Sequence, residues 1–229
     1  MRVRTLVVSC LVAPLVCVAV VVRALAVLPP IRKGVHKWRI CYFANHEVAR
    51  FDGIILSDCD FGPNHTSADF TRILLASLEL LKATDPIRFS RVRRHLSWIV
   101  RRPHIERFEA NYEHATRSCS VFFRSPSELY PEDYLIGWYA CTVVHEATHG
   151  YIECCGVSYS RERRERIERI CFEEEQRFVD RLSQSQPALA EQLRHKFDPA
   201  AWDWYWNATG LDRVSAAIPF IERVLFPKK

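Results

Sequence analysis

Apolar positions along this chain follow several different rhythms, and each rhythm predicts its own element. Thr5 to Val22 is eighteen residues without a charge, and Ala24 to Leu28 extends the run beyond Arg23. About twenty such residues cross a bilayer core, and an arginine near one end can reach the headgroups along its stem, so this segment predicts an N-terminal transmembrane helix. Pro29-Pro30 and then Ile31-Arg32-Lys33-Gly34 read as a linker. Helical spacing returns from Asp69 to Lys82, where Phe70, Ile73, Leu74, Leu78 and Leu81 share a face behind a cap at Thr66 or Ser67. Leu96 to Val100, Phe108 to Tyr112 and Arg117 to Arg124 read as strands, the last ended by Ser125-Pro126-Ser127.

Two longer helices follow. Pro131, Glu132 and Asp133 suit a first turn, with proline at the start and acids at the positive end of the dipole. From there Tyr134, Leu135, Trp138, Cys141, Thr142, His145 and His149 recur at helical spacing, which places both histidines on an inward stripe. Ser160 to Leu182 contains neither Gly nor Pro and predicts the second helix. Its high charge suggests a solvated rod, but Arg164, Glu168, Cys171, Glu175, Phe178 and Leu182 fall on one face. Inward carboxylates are costly unless paired or bound to a cation. A final helix is expected from Asp212 to Leu225, after Gly210 and the alternating Trp202, Trp204 and Trp206. Those tryptophans read as packing for it, with a membrane-interface or substrate wall as the alternative. Together these elements predict an α+β domain over residues 35–229, behind an anchor and linker over residues 1–34.

The chemistry concentrates at His145-Glu146-Ala147-Thr148-His149. Positions four apart on a helix differ by roughly 40° in azimuth, so both imidazoles can reach one ion while Glu146 lies beside it as a general base. A lone inward histidine is most simply satisfied by a carbonyl or carboxylate; two at this spacing around a glutamate point to Zn2+. A catalytic zinc needs a third protein ligand and an open position. Glu168, nineteen positions after His149, is the favoured third ligand over a salt bridge to Arg161 or Arg164. Glu175 is its rival, and whichever carboxylate is left over can accept the proton of a ligating histidine.

This spacing resembles that of the gluzincin zinc metallopeptidases, in which HExxH is followed by a ligating Glu on the next helix. The motif core and the stretch Arg166-Ile167-Glu168-Arg169-Ile170-Cys171 are also similar to little-characterised bacterial proteins with a His-Glu-Ala-Thr-His core. The Asn-Glu or Gly-x-x-x-Glu setting usual around the gluzincin ligand is missing here. The resemblance implies a zincin-like domain, with a small sheet packed on the HExxH helix and on the Glu-bearing helix after it. It also implies hydrolysis of a peptide or protein substrate by a zinc-activated water, metal ligands His145, His149 and Glu168, and Glu146 as base. In such enzymes an edge strand lies over the metal; the 117–124 strand is either that edge or an ordinary sheet strand. Tyr159, His195 and Tyr205 are candidates for the donor that stabilises the transition state. Two other readings remain: an interaction or scaffold protein with a residual metal site, and a zinc amidase acting on a non-peptide amide.

Charge narrows the partners. Arg2, Arg4, Arg23, Arg32 and Lys33 account for the whole net charge of +5, leaving residues 35–229 neutral. The basic balance is thus a membrane-flank property and gives no case for nucleic-acid binding. Arg91, Arg93, Arg94, Arg101 and Arg102 read as a solvated basic face, or as a contact for lipid headgroups. A retained single-pass anchor is favoured over a cleaved signal peptide, for which Ala24-Leu25-Ala26 would be the processing site. Arg32, Lys33, Lys37 and Arg39 after the span favour a cytoplasmic domain, whereas Arg2 and Arg4 before it allow the opposite. Outside the span an odd seven cysteines suggest free thiols, while Asn64 and Asn207 head glycosylation-type triplets.

Overall fold

The computed structural model describes residues 29–60, 67–102 and 110–200, over which six helices and five strands form an α+β fold. In chain order these are α1 (Pro29–Asn45), β1 (Glu47–Phe51), β2 (Ile54–Asp58), α2 (Ser67–Thr84), α3 (Pro86–His95), β3 (Trp98–Arg101), β4 (Ala110–Glu113), β5 (Ser118–Val121), α4 (Glu132–Cys154), α5 (Arg164–Leu182) and α6 (Pro187–Leu193). Residues 43–103 and 108–206 form one compact unit, which holds the sheet, α2 to α6 and every described candidate residue. Of the other unit, residues 1–42, 104–107 and 207–229, the described part is the start of α1, where Trp38 stacks on Tyr42 at 5.4 Å between ring centroids. Thr5–Val22, Trp202, Trp204, Trp206, Tyr205, the 212–225 helix and both glycosylation-type triplets lie outside the described residues. Among the described residues no helix is long and apolar enough to cross a membrane.

The sheet has the order β1-β2-β3-β5-β4. Its three central strands β2, β3 and β5 are parallel, and both outer strands are antiparallel to their neighbours. Every residue of β3 and β5 is buried, as expected of strands covered on both faces. The β1-β2 hairpin escapes the hydrophobic pattern, but its turn was written in Asp52-Gly53, whose φ values of 47° and 89° suit the tight turn that this dipeptide favours.

Two expectations need correction, and one open alternative is decided. Pro29 to Gly34 is not a linker but the opening of α1; proline is tolerated in a first helical turn, and one glycine costs only about 1 kcal/mol. The strand within 117–124 is no edge: β5 pairs with β3 on one side and β4 on the other, so β4 is the outer strand. The basic cluster is not uniformly solvated, because Arg101 is buried and bridges Asp58 and Asp60, each at 3.1 Å, above the rings of Phe70 and Phe123.

The predicted helices at 69–82, 131–149 and 160–182 are present, with α5 beginning at Arg164 after a turn. Between Val143 and Thr148 α4 is buried on all sides, packed among α2, α3, α5 and α6, as an element at the centre of a fold must be. Tyr139 pins it to the sheet: its hydroxyl donates to the Phe122 carbonyl (3.1 Å) and accepts from the Arg124 amide (2.7 Å), while its ring stacks on Phe123. Gly150 permits a second close approach. A Cβ there would lie 2.8 Å from the Tyr112 hydroxyl and 3.0 Å from the His95 Cβ, so the glycine lets β4 and α3 close on the helix beside His149.

Candidate metal centre

α4 and α5 bring the predicted site residues together. His145 and His149 lie one turn apart, with ring centroids at 5.0 Å, and face α5. Oε2 of Glu168 lies 3.0 Å from Nε2 of His145 and 3.5 Å from Nε2 of His149. The other oxygen of Glu168, Oε1, accepts the Tyr159 hydroxyl at 2.6 Å. Glu175, one helical repeat further along α5, bonds Nδ1 of His145. The two carboxylates therefore hold different nitrogens of the same ring.

That division allows two states of the ring, an imidazolium donating to both carboxylates or a neutral ring donating to one of them. An ionised carboxylate only accepts, so a neutral ring whose Nδ1 donates to Glu175 turns a lone pair on Nε2 toward another acceptor, Glu168. Two acceptors at 3.0 Å are stable only with a proton or a cation between them. The electrostatics agree. Burial works against a charge on His145, but Glu175 and Glu168 outweigh it and hold the imidazole well above its ordinary value. Burial likewise opposes the charge on Glu168, yet the hydrogen bonds from His145 and His149 hold its carboxyl far below the usual range. The pocket is built to retain positive charge.

A metal ion fits this arrangement. Ligands held at about 2.0–2.1 Å on neighbouring corners of a tetrahedron lie about 3.3 Å apart, and the two Glu168 distances bracket that value. Cys171 forms a group of its own with the two histidines, in which Glu168 has no part: one ligand atom from each of His145, His149 and Cys171 lies within 4.8 Å of the others. This buried group can hold a metal ion. Cys171 stood on the predicted inward stripe without being assigned a part; its position one turn beyond Glu168 was the available signal. Burial, reinforced by Glu168, Glu146, Glu175 and Glu174, pushes its thiol well above the ordinary value.

Glu146 lies between the two histidines in the sequence of α4. It is 5% exposed, and its Oε2 is buried without a hydrogen-bond partner among the described residues. Burial raises its pKa, the two histidines oppose that rise, and Glu168 and Glu175 add to it. A buried oxygen with nothing to accept is costly.

Of the three proposed auxiliary donors, Tyr159 reaches the centre through Glu168 and its ring lies 5.7 Å from that of His149. His195 instead donates from Nδ1 to the Leu193 carbonyl and packs edge-on against Phe172. Tyr205 lies outside the described residues. Beyond the motif, His114 and Glu153 pair at 3.2 Å, and the Cys154 thiol lies 3.7 Å from His95. All seven described cysteines are free, as their odd number suggested. Comparisons with models of known protein families, with curated proteins and with solved structures find no match to this chain.

Proposed function

We propose that the chain is a zinc-dependent metallopeptidase of zincin-like build, with His145, His149 and Glu168 as metal ligands and Glu146 as general base. The observation that carries this reading is the convergence of two Nε2 atoms on one Glu168 oxygen beside a buried, unpartnered Glu146. Zinc, when bound, supplies a Lewis acid that polarises a carbonyl and acidifies water. The residues do the rest. Glu175 accepts from Nδ1 of His145, so that Nε2 is the nitrogen that would ligate, and Tyr159 orients Glu168 through Oε1. Glu146, with its raised pKa and free Oε2, takes a proton from water and returns it to the leaving amine.

The peptide substrate follows from the gluzincin resemblance; β4, the outer strand that packs on α4, is the edge beside which an extended substrate would lie. The apolar segment Thr5–Val22 supports a membrane-anchored protein. Metal analysis of the full chain tests the core of the proposal. Close to one zinc per chain is expected in the parent and in Glu146→Gln, and much less in His149→Ala. Full zinc retention by His149→Ala would sink it.

A further inference from the structure

Cys171 is 0% exposed, lies among Ile152 and Ile167, and offers its sulfur within 4.8 Å of ring nitrogens of both histidines. An ordinary buried cysteine is a small hydrophobe and needs no polar neighbours. This one is surrounded by them on one side: His145 and His149 from α4, and Glu168 one turn earlier on its own helix. Cys171 thus offers a sulfur to the two histidines that Glu168, one turn earlier on α5, meets through Oε2. Zinc binds sulfur and imidazole in both structural and catalytic centres, at about 2.3 Å and about 2.0–2.1 Å respectively.

We propose that Cys171 is itself a ligand of the ion, so that the resting centre is held by four protein donors: His145, His149, Glu168 and Cys171. This rests on the metal-centre reading above and deepens it. Four donors fill a tetrahedron, so the resting centre is closed, and one donor must yield before substrate can enter. Glu168 is the donor with somewhere to go. Its Oε1 already accepts from Tyr159, which is 53% exposed, whereas Cys171 is enclosed by apolar side chains. A thiolate in the set also favours zinc, cadmium and cobalt over magnesium or manganese.

Cobalt alone is the probe, added at one equivalent to the full chain stripped of metal. Cysteine ligation gives a sulfur-to-cobalt charge-transfer absorption in the near ultraviolet. The band is expected in the parent and in a Cys41/Cys154/Cys155→Ser variant, lost in Cys171→Ala, and retained in Glu168→Gln at saturating cobalt. X-ray absorption of the zinc-loaded parent needs no variant and should require one sulfur at about 2.3 Å. A band that survives Cys171→Ala, or a zinc shell made only of nitrogen and oxygen, overturns ligation by Cys171 while leaving His145, His149 and Glu168 in place. A parent that binds no cobalt overturns both readings.

Discussion

Glu174 and Glu175 are neighbours on α5 and nearly equally buried, at 7% and 9% exposure, yet they solve the burial of a carboxylate in opposite ways. Glu174 faces arginines: Arg91 at 2.7 Å, Arg88 at 3.1 Å, and Arg177 on its other oxygen. Arginine is charged at every relevant pH, so this compensation is permanent and Glu174 serves as a clamp between α5 and α3. Glu175 faces the Nδ1 of His145, whose charge depends on what its other nitrogen holds. Glu168, on the same face, also meets only histidines and a tyrosine hydroxyl among its described partners. A carboxylate compensated by guanidinium is finished structurally, whereas one compensated by imidazole leaves room for a cation. One helix thus carries a clamp and a centre, distinguished by which partners face each acid.

The sharpest separation of the two should come from Glu146→Gln. Removing the base leaves the ligands untouched, so zinc content should stay near the parent value while peptide hydrolysis falls by about 10²–10⁴-fold. An assay on a mixed peptide substrate with parallel metal analysis checks both. Unchanged hydrolysis would remove the general-base role. Next in size is Glu175→Gln. The loss of a charged acceptor behind a ligating histidine should weaken zinc binding by about 10–100-fold, measured by competition with a chelator. The same substitution at Glu174 should leave zinc binding unchanged. If the two variants lose affinity equally, the distinction between clamp and centre fails.

Much of the centre was legible because it is periodic. His145 and His149 share a face by spacing alone, and the 3-4 alternation of α5 predicted that Glu168, Cys171 and Glu175 would turn inward with them, as they do. The sequence also offered Glu168 and Glu175 as carboxylates facing the histidines, and Glu175 bonds Nδ1 of His145. What escaped depends on geometry without a period. Tyr159 meets Glu168 only because the chain leaves α4 through Gly156 at φ 80° and turns back before α5. The place of β5 inside the sheet depends on β4, which precedes it in sequence, taking the outer position so that β5 pairs with β3; its own alternation does not encode this. Arg101 sat in a run of basic residues, and its burial follows from Asp58 and Asp60 ending the neighbouring strand β2, a pairing visible only once register is known. The first half of α1 was hidden because Pro29-Pro30 followed by Gly34 also carries the signature of a loop.

The clamp makes a smaller prediction whose sign can be worked out. Burial opposes the charge on Glu174, but Arg91 and Arg88, with Arg177, outweigh it and hold the carboxyl below its ordinary value. A carboxyl with a depressed folded pKa contributes stability that is fully present above the unfolded value and is lost as pH falls through the folded one. Glu174→Gln removes that contribution and leaves Arg88, which is largely buried, without this partner. Loss of a buried pair costs about 3–5 kcal/mol, but Arg91 and Arg177 are partly solvated and Arg88 retains Asp85, so about 2 kcal/mol is expected at neutral pH. Urea denaturation of the full chain and of Glu174→Gln between neutral and acid pH measures the difference. The gap should hold constant near neutrality, narrow as pH falls below the usual carboxylate range, and close below the folded value. The residues around His145 and His149 are the same in both proteins and cancel in this difference, so a gap that ignores pH would show that Glu174 stabilises by packing rather than by charge.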